Sequence, residues 1–194
     1  VSRIALLAAG PSLPEVYCDE FMDDYELIVA VNTAGWKFTH HWLFAFDRQI
    51  FTPVFERKPG VCLPLVGVQT NKPHREEAVR LGWRAEIPGP YYGLGLTAEQ
   101  RARAGTERCI FTFPNALRFC LSRFPRASLD IYGMDYAIGK PCVGGASGDR
   151  GEKRFRREAL WVREFWEEER ITVYGRAKRE LLDFLAGRCD TWSP

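Results

Sequence analysis

Three apolar segments in the first fifty residues, each stopping at a small or polar residue, constrain the fold of this chain more than any other feature. Residues 3–8 run into Gly10-Pro11-Ser12-Leu13, residues 27–31 into Asn32, and residues 42–46 into Asp47. Short apolar runs separated by linking segments predict βαβ units, and a parallel sheet aligns the carboxyl ends of its strands along one edge. Ligands of such sheets bind at that edge. Ser12, Asn32 and Asp47 are therefore expected to wall one crevice, although they lie far apart in sequence. The expected fold class is α/β: a Rossmann-like, mostly parallel sheet flanked by helices, with a glycine-rich lid.

The rest of the chain extends this pattern. Residues 47–57 predict a short helix and residues 61–66 a fourth strand, which Pro64 demotes to an edge. Over residues 69–108 the periodicity weakens. Pro88-Gly89-Pro90-Tyr91-Tyr92-Gly93-Leu94-Gly95 is loop-like, and Arg101, Arg103 and Arg108 add positive charge, so an irregular insertion beside the sheet is expected. Tyr91-Tyr92 offers rings that can stack on a base or sugar, although packing on neighbours is the commoner fate of loop tyrosines. Helical spacing returns after Thr112-Phe113-Pro114-Asn115, through Ala116, Leu117, Cys120, Leu121 and Phe124. Pro114 suits the first helical turn, where an N–H has no intrahelical partner. Residues 128–132 form a strand that ends at Gly133-Met134-Asp135, a second junction of the first kind. Residues 136–151 carry Gly139, Gly144, Gly145, Gly148 and Gly151 with no apolar period, which predicts a mobile lid over the carboxyl edge. An amphipathic helix over 152–169, a strand over 171–174 and a helix over 178–185 complete the chain.

Bulk properties bound the class. A chain of 194 residues is most simply one domain and buries roughly two-thirds or more of its unfolded surface. Its 27 basic and 25 acidic residues give a net charge of +2, so overall charge makes no case for nucleic-acid binding, although a local patch can. The six cysteines form no CxxC pair and have no adjacent histidine, which argues against zinc-ribbon and thioredoxin-like sites and for free thiols in the cytoplasm. There is no apolar run near the roughly 20 residues that span a bilayer and no charged-then-apolar leader, so neither a membrane span nor secretion is expected. Oligomeric state has no signature here.

Several residues could carry chemistry. In Gly10-Pro11-Ser12 the glycine permits close approach of a ligand, and the turn amides with the Ser12 hydroxyl can donate to a phosphate; a tight turn capped by Ser12 is the alternative. The turn is neither GxGxxG nor a Walker loop. Asn32 presents a donor and an acceptor suited to a base or ribose edge, or caps the next helix. Asp47 can bind ribose hydroxyls, orient a sugar or hold a metal, or cap the helix after it. Asp135, beside Gly133 and the lid, is expected to open onto the crevice with a functional role. Arg150, Lys153, Arg154, Arg156 and Arg157 open a helix at the end where cations are disfavoured, and a phosphate or diphosphate leaving group is an attractive compensation. Adjacent His40-His41 reads as packing rather than catalysis.

Taken together, Ile4-Ala5-Leu6-Leu7-Ala8-Ala9-Gly10-Pro11-Ser12-Leu13, Val31-Asn32, Phe46-Asp47 and Ile131-Tyr132-Gly133-Met134-Asp135 resemble the bacterial sialyltransferases with a G-P-S-L opening. They also resemble the related motility-associated glycosyltransferase and hydroxymethylpterin diphosphokinase-like families. The resemblance implies a metal-independent transferase for a nucleotide sugar, with Gly10, Pro11 and Ser12 near phosphate, Asn32 near the nucleotide, and no cofactor beyond the donor. It also implies nucleotide contacts at Asp47, where the sialyltransferases usually carry an amide. Thr112 and Asn115 stand in a segment that normally reads Thr-Ser-Gly or Gly-Gly-Thr, and Gly133 and Tyr136 flank the second junction. The general base of the sialyltransferases is a histidine after the lid, yet this chain has none beyond His74. Either Asp135 or Asp149 then takes the acceptor proton, or the reaction differs.

The expected activity is glycosyl transfer to an acceptor hydroxyl, with Arg154 and Arg157 stabilising the departing charge. Pyrophosphoryl transfer from ATP is the alternative, with Asp47 and Asp135 holding magnesium; a non-catalytic nucleotide- or nucleic-acid-binding module is another. Surface glycan, protein and modified nucleic acid all fit as acceptors.

Overall fold

A computed structural model describes residues 2–45, 65–66, 99, 111–136 and 152–193. The fold is α/β and Rossmann-like. Among the described residues the strands are β1 (Arg3–Leu7), β2 (Leu27–Val31), β3 (Trp42–Phe44), β4 (Leu65–Val66), β5 (Ser128–Tyr132) and β6 (Ile171–Tyr174). They form one sheet in the order β4-β3-β2-β1-β5-β6, with every neighbouring pair parallel. The strands expected at 27–31, 128–132 and 171–174 have those bounds. The fourth strand is an edge piece, as Pro64 requires, of which Leu65–Val66 is described. The helix expected at 47–57 and the insertion expected at 69–108 lie outside the described residues, apart from Glu99 of the insertion.

Side-chain alternation divides the core between the two faces. On one face Ala5, Leu7, Ile28, Ala30, Leu43 and Ala45 pack under α1 (Leu13–Val16), a 3-10 turn (Asp19–Asp24) and α2 (Ala34–Lys37). These short helices were not legible in the sequence, since four residues are too few to show a period. α2 sits close to the sheet because Gly35 brings no side chain there; a Cβ on Gly35 would come within 2.6 Å of Leu43 Cδ1. On the other face Ile4, Leu6, Val29, Val31, Phe44, Leu129 and Ile131 pack under α3 (Thr112–Arg123), α4 (Glu152–Glu164) and α5 (Arg179–Leu185). Each fully buried aliphatic or aromatic side chain there contributes about 1.5–3 kcal/mol. The helix expected to run to residue 169 ends at Glu164, and Glu168–Arg170 is a separate 3-10 turn. Arg170 from that turn donates to the carbonyls of Phe124 (2.7 Å) and Ala127 (3.2 Å), so a cation caps the C-terminal end of α3.

A polar cluster interrupts the apolar core between β1, β2 and β5. Asp130 is buried and accepts hydrogen bonds from Arg3 Nη2 (2.5 Å) and Tyr25 OH (2.8 Å), and Tyr25 and Tyr132 share a hydrogen bond of 2.5 Å. Burial, then the bonds to Tyr132 and Asp130, pushes the Tyr25 phenol well above its ordinary range; burial does the same to Tyr17. A raised phenol stabilises the fold fully below the unfolded value and loses that contribution as pH climbs past it. Denaturant midpoints are therefore expected to fall from about pH 10 upward. Tyr25→Phe should cost about 1 kcal/mol at neutral pH and flatten this alkaline slope. An unchanged slope would mean that Tyr25 titrates alike in both states.

Candidate functional site

The strand order reverses between β1 and β5, so the segments leaving these two strands part toward opposite faces, the place where open parallel sheets bind ligands. Here the junction is clamped. The Gly10 N–H donates to the Gly133 carbonyl (3.0 Å), and a Cβ on Gly10 would lie 2.1 Å from that oxygen. Ser12 is fully buried; its N–H donates to Asp135 Oδ2 (2.7 Å) and its hydroxyl to Asp135 Oδ1 (2.5 Å). A third donor comes from beyond β6: the Arg176 amide reaches Asp135 Oδ1 at 3.0 Å. The Arg176 guanidinium meanwhile grips Glu15 on α1 through Nε (3.1 Å) and Nη2 (2.6 Å). Gly175 turns this loop at φ 132°, where a Cβ would stand 2.6 Å from Ser12 Oγ.

This geometry corrects three expectations. Ser12 spends both donors on Asp135, so it neither caps α1 nor offers its hydroxyl to a phosphate. Asp135 is 5% exposed rather than open to the crevice, and three donors on its oxygens suit it to holding loops together. The same engagement leaves it poorly placed as a base or a magnesium ligand. Tyr136 is buried in the core edge-on to Phe113, Phe155 and Trp192, so it belongs to the packing and not to a lid. Residues 137–151, with Asp149, lie outside the described residues, as does Asp47. Gly133, at φ 70°, closes on Leu13, while Pro11 is exposed at the surface of the turn.

Beside the clamp, the end of β2 carries buried polar groups without partners among the described residues. Asn32 takes the left-handed conformation, φ 51°, which costs an L-residue about 1 kcal/mol. Its backbone is satisfied, the N–H by the Phe44 carbonyl (3.0 Å) and the carbonyl by the Gly35 N–H (3.1 Å). Its buried Oδ1, and the buried Oγ1 of Thr33, have no hydrogen-bond partner among the described residues. Each such group costs about 1–3 kcal/mol until something pairs with it.

The third component is the start of α3. Four residues separate α3 from β5, so the helix runs antiparallel to the strands and its N-terminus returns to the carboxyl edge. That N-terminus has no side-chain cap and no acidic residue in its first turn. Thr112 and Asn115 are buried there, and Asn115 Nδ2 donates to the Phe111 carbonyl at 2.7 Å. The exposed guanidinium of Arg154 lies over the Phe111 ring, 5.7 Å from its centroid, so α4 delivers a cation beside an uncapped helix start. Arg157 is exposed one turn further along α4.

The two described histidines, His40 and His41, belong to the scaffold, and His74 lies outside the described residues. His40 is buried with Nδ1 2.9 Å from the Phe38 carbonyl, and His41 Nδ1 accepts from the Ile28 N–H at 2.9 Å. Among the described residues no three His, Cys, Asp or Glu side chains gather as a metal site, and no helix is long and apolar enough to cross a membrane. Sequence reasoning missed Glu15, Thr33 and Arg176. A signal for Arg176 existed, since Tyr174-Gly175 repeats the strand-to-glycine junction of Tyr132-Gly133. No family model, curated protein or solved structure matches this chain.

Proposed function

We propose that this chain is a small cytoplasmic glycosyltransferase-like enzyme that binds a nucleotide sugar at the carboxyl edge of β1, β2 and β5. The observation that carries the proposal is Asn32: a residue in the left-handed conformation, at the end of a central strand, with a buried amide oxygen that lacks a partner among the described residues. A nucleoside edge would supply the missing donor, and Thr33 Oγ1 would add a second contact. The donor phosphates would lie at the uncapped start of α3 against Arg154, with Arg157 neutralising the departing nucleoside phosphate. Asp135, engaged by Ser12 and Arg176, would act as a positioning residue, and the acceptor proton would fall to Asp149. The cytoplasmic assignment accords with the free thiols of Cys18, Cys120 and Cys189.

A thermal-shift panel of nucleotides and nucleotide sugars, with and without magnesium, tests the assignment. The correct donor at 100 times its Kd raises stability by about 2.7 kcal/mol, and magnesium adds nothing. Asn32→Gly removes the amide and relieves the backbone strain, so the fold should keep or gain up to about 1 kcal/mol while nucleotide affinity falls roughly two- to tenfold. Full affinity in Asn32→Gly refutes the site; a magnesium-dependent shift with ATP selects pyrophosphoryl transfer. The threefold engagement of Asp135 favours one second reading, a nucleotide-binding module without turnover. Tight donor binding with no sugar release in the presence of glycan, protein and nucleic-acid acceptors would select it.

A further inference from the structure

We propose that the exposed ring of Tyr174, together with Arg176, Lys178 and Arg179, forms a binding surface for single-stranded nucleic acid. On β6 the side chains of Ile171 and Val173 pack toward the helices, whereas Thr172 and Tyr174 face outward on the side of the sheet that carries Tyr132. Tyr174 stacks on Tyr132 with ring centroids 4.7 Å apart and planes at 12°, and it is still 37% exposed. Tyr132 is in turn held by its hydrogen bond to Tyr25 and by edge contact with Tyr17. One face of the Tyr174 ring is thus fixed while more than a third of the residue stays exposed, so a further aromatic group can stack on it with little loss of rotamer freedom.

The residues after this ring are cationic. In Tyr174-Gly175-Arg176-Ala177-Lys178-Arg179 all three basic side chains are exposed. The backbone that bears them is rigid where it matters, because the Arg176 amide is bound by Asp135. Glu15 orients the Arg176 guanidinium through Nε and Nη2 and leaves Nη1 pointing elsewhere. Arg179 reaches Asp183 only at 3.9 Å with its side chain 91% exposed, and Lys178 makes no ion pair among the described residues. A flat ring interleaved with cations fits a ligand that offers bases and phosphates at once. It fits single strands because a base stacked within a duplex has no free face to give to a protein ring. A phosphorylated protein or simple polyanion would use the cations and leave the ring idle.

As a binding surface this inference stands without the transfer chemistry; as an acceptor site on the same edge it rests on that reading. The test uses the full chain without donor, in a fluorescence-anisotropy titration with labelled oligothymidylate of about 12 nucleotides. Wild type is expected to bind with a strong salt dependence. Tyr174→Ala should weaken binding about tenfold, while Tyr174→Phe stays within about twofold of wild type. Tyr174→Leu, which keeps an apolar contact with Tyr132, should behave like the alanine variant and serves if that one melts early. Lys178→Gln should lower the slope of log affinity against log salt by about 0.7. The surface is refuted if the oligonucleotide does not bind at low salt. It is equally refuted if folded Tyr174→Ala and Tyr174→Leu both bind like wild type, or if inorganic polyphosphate displaces the strand from wild type and both variants alike. None of these outcomes depends on the nucleotide-sugar panel, so the two readings can fail separately.

Discussion

Asp135→Ala is expected to destabilise the protein by about 3–5 kcal/mol, the largest effect of any single polar substitution in the described fold. The substitution removes the acceptor of the buried Ser12 amide and hydroxyl and the nearer acceptor of the Arg176 amide, which keeps only a long contact to Ser12 Oγ at 3.4 Å. Water cannot easily replace the carboxylate, because Ser12 is sealed and Asp135 itself is 5% exposed. Asp135→Asn should fall between wild type and alanine, since its amide keeps one acceptor but turns an NH2 toward donors. Ser12→Ala should cost less than Asp135→Ala, and the double variant should fall short of the sum by roughly 0.5–3 kcal/mol, because the two residues lose the same bonds. Chemical denaturation of the four proteins measures this cycle. A different result separates the two roles considered for Asp135: if Asp135→Asn melts like wild type but transfers no sugar, the carboxylate is the base and not the clamp.

Gly10→Ala is expected to lower the melting temperature by roughly 6–12 °C, equivalent to about 3 kcal/mol in a chain of this size. The added methyl would stand 2.1 Å from the Gly133 carbonyl oxygen and 2.7 Å from Asp135 Oδ2. Neither contact can relax cheaply, for one atom is backbone and the other belongs to a carboxylate held by three hydrogen bonds. Gly187→Ala is the control. Gly187 has φ 75° but its Cβ would meet only the far end of Arg163 at 3.8 Å, so that substitution should carry the backbone penalty alone, about 1 kcal/mol. Differential scanning calorimetry of both variants decides the matter, and equal melting temperatures would mean that the β1 turn does not pack on the β5 turn.

Strand and helix identity were local properties and could be read locally. The runs at 27–31, 128–132 and 171–174 are apolar, bounded by polar or glycine residues and too short for helices, so each had one reasonable assignment. Pro114 and the spacing behind it marked α3 in the same way. The six-residue 3-10 turn and the two four-residue helices were invisible, because their order comes from packing on Ala5, Ala30 and Ala45 and not from any period of their own.

The candidate site divides along the same line. From the sequence alone it followed that Gly10, Asn32 and Asp135 end strands of one parallel sheet, since periodicity and breakers encode where strands stop. Only the tertiary structure decided what those residues do there. Ser12 and Asp135 are 123 positions apart, and nothing in either neighbourhood states that one will give both its donors to the other. The Arg176 amide joins them because β5 and β6 happen to be neighbours. Asn32 takes the left-handed conformation at the end of β2, and its buried Oδ1 has no partner among the described residues, neither of which the sequence states. Apolar pattern is a one-dimensional signal, whereas hydrogen-bond satisfaction depends on which atoms come within 3 Å after the sheet has formed, and that is settled only in three dimensions.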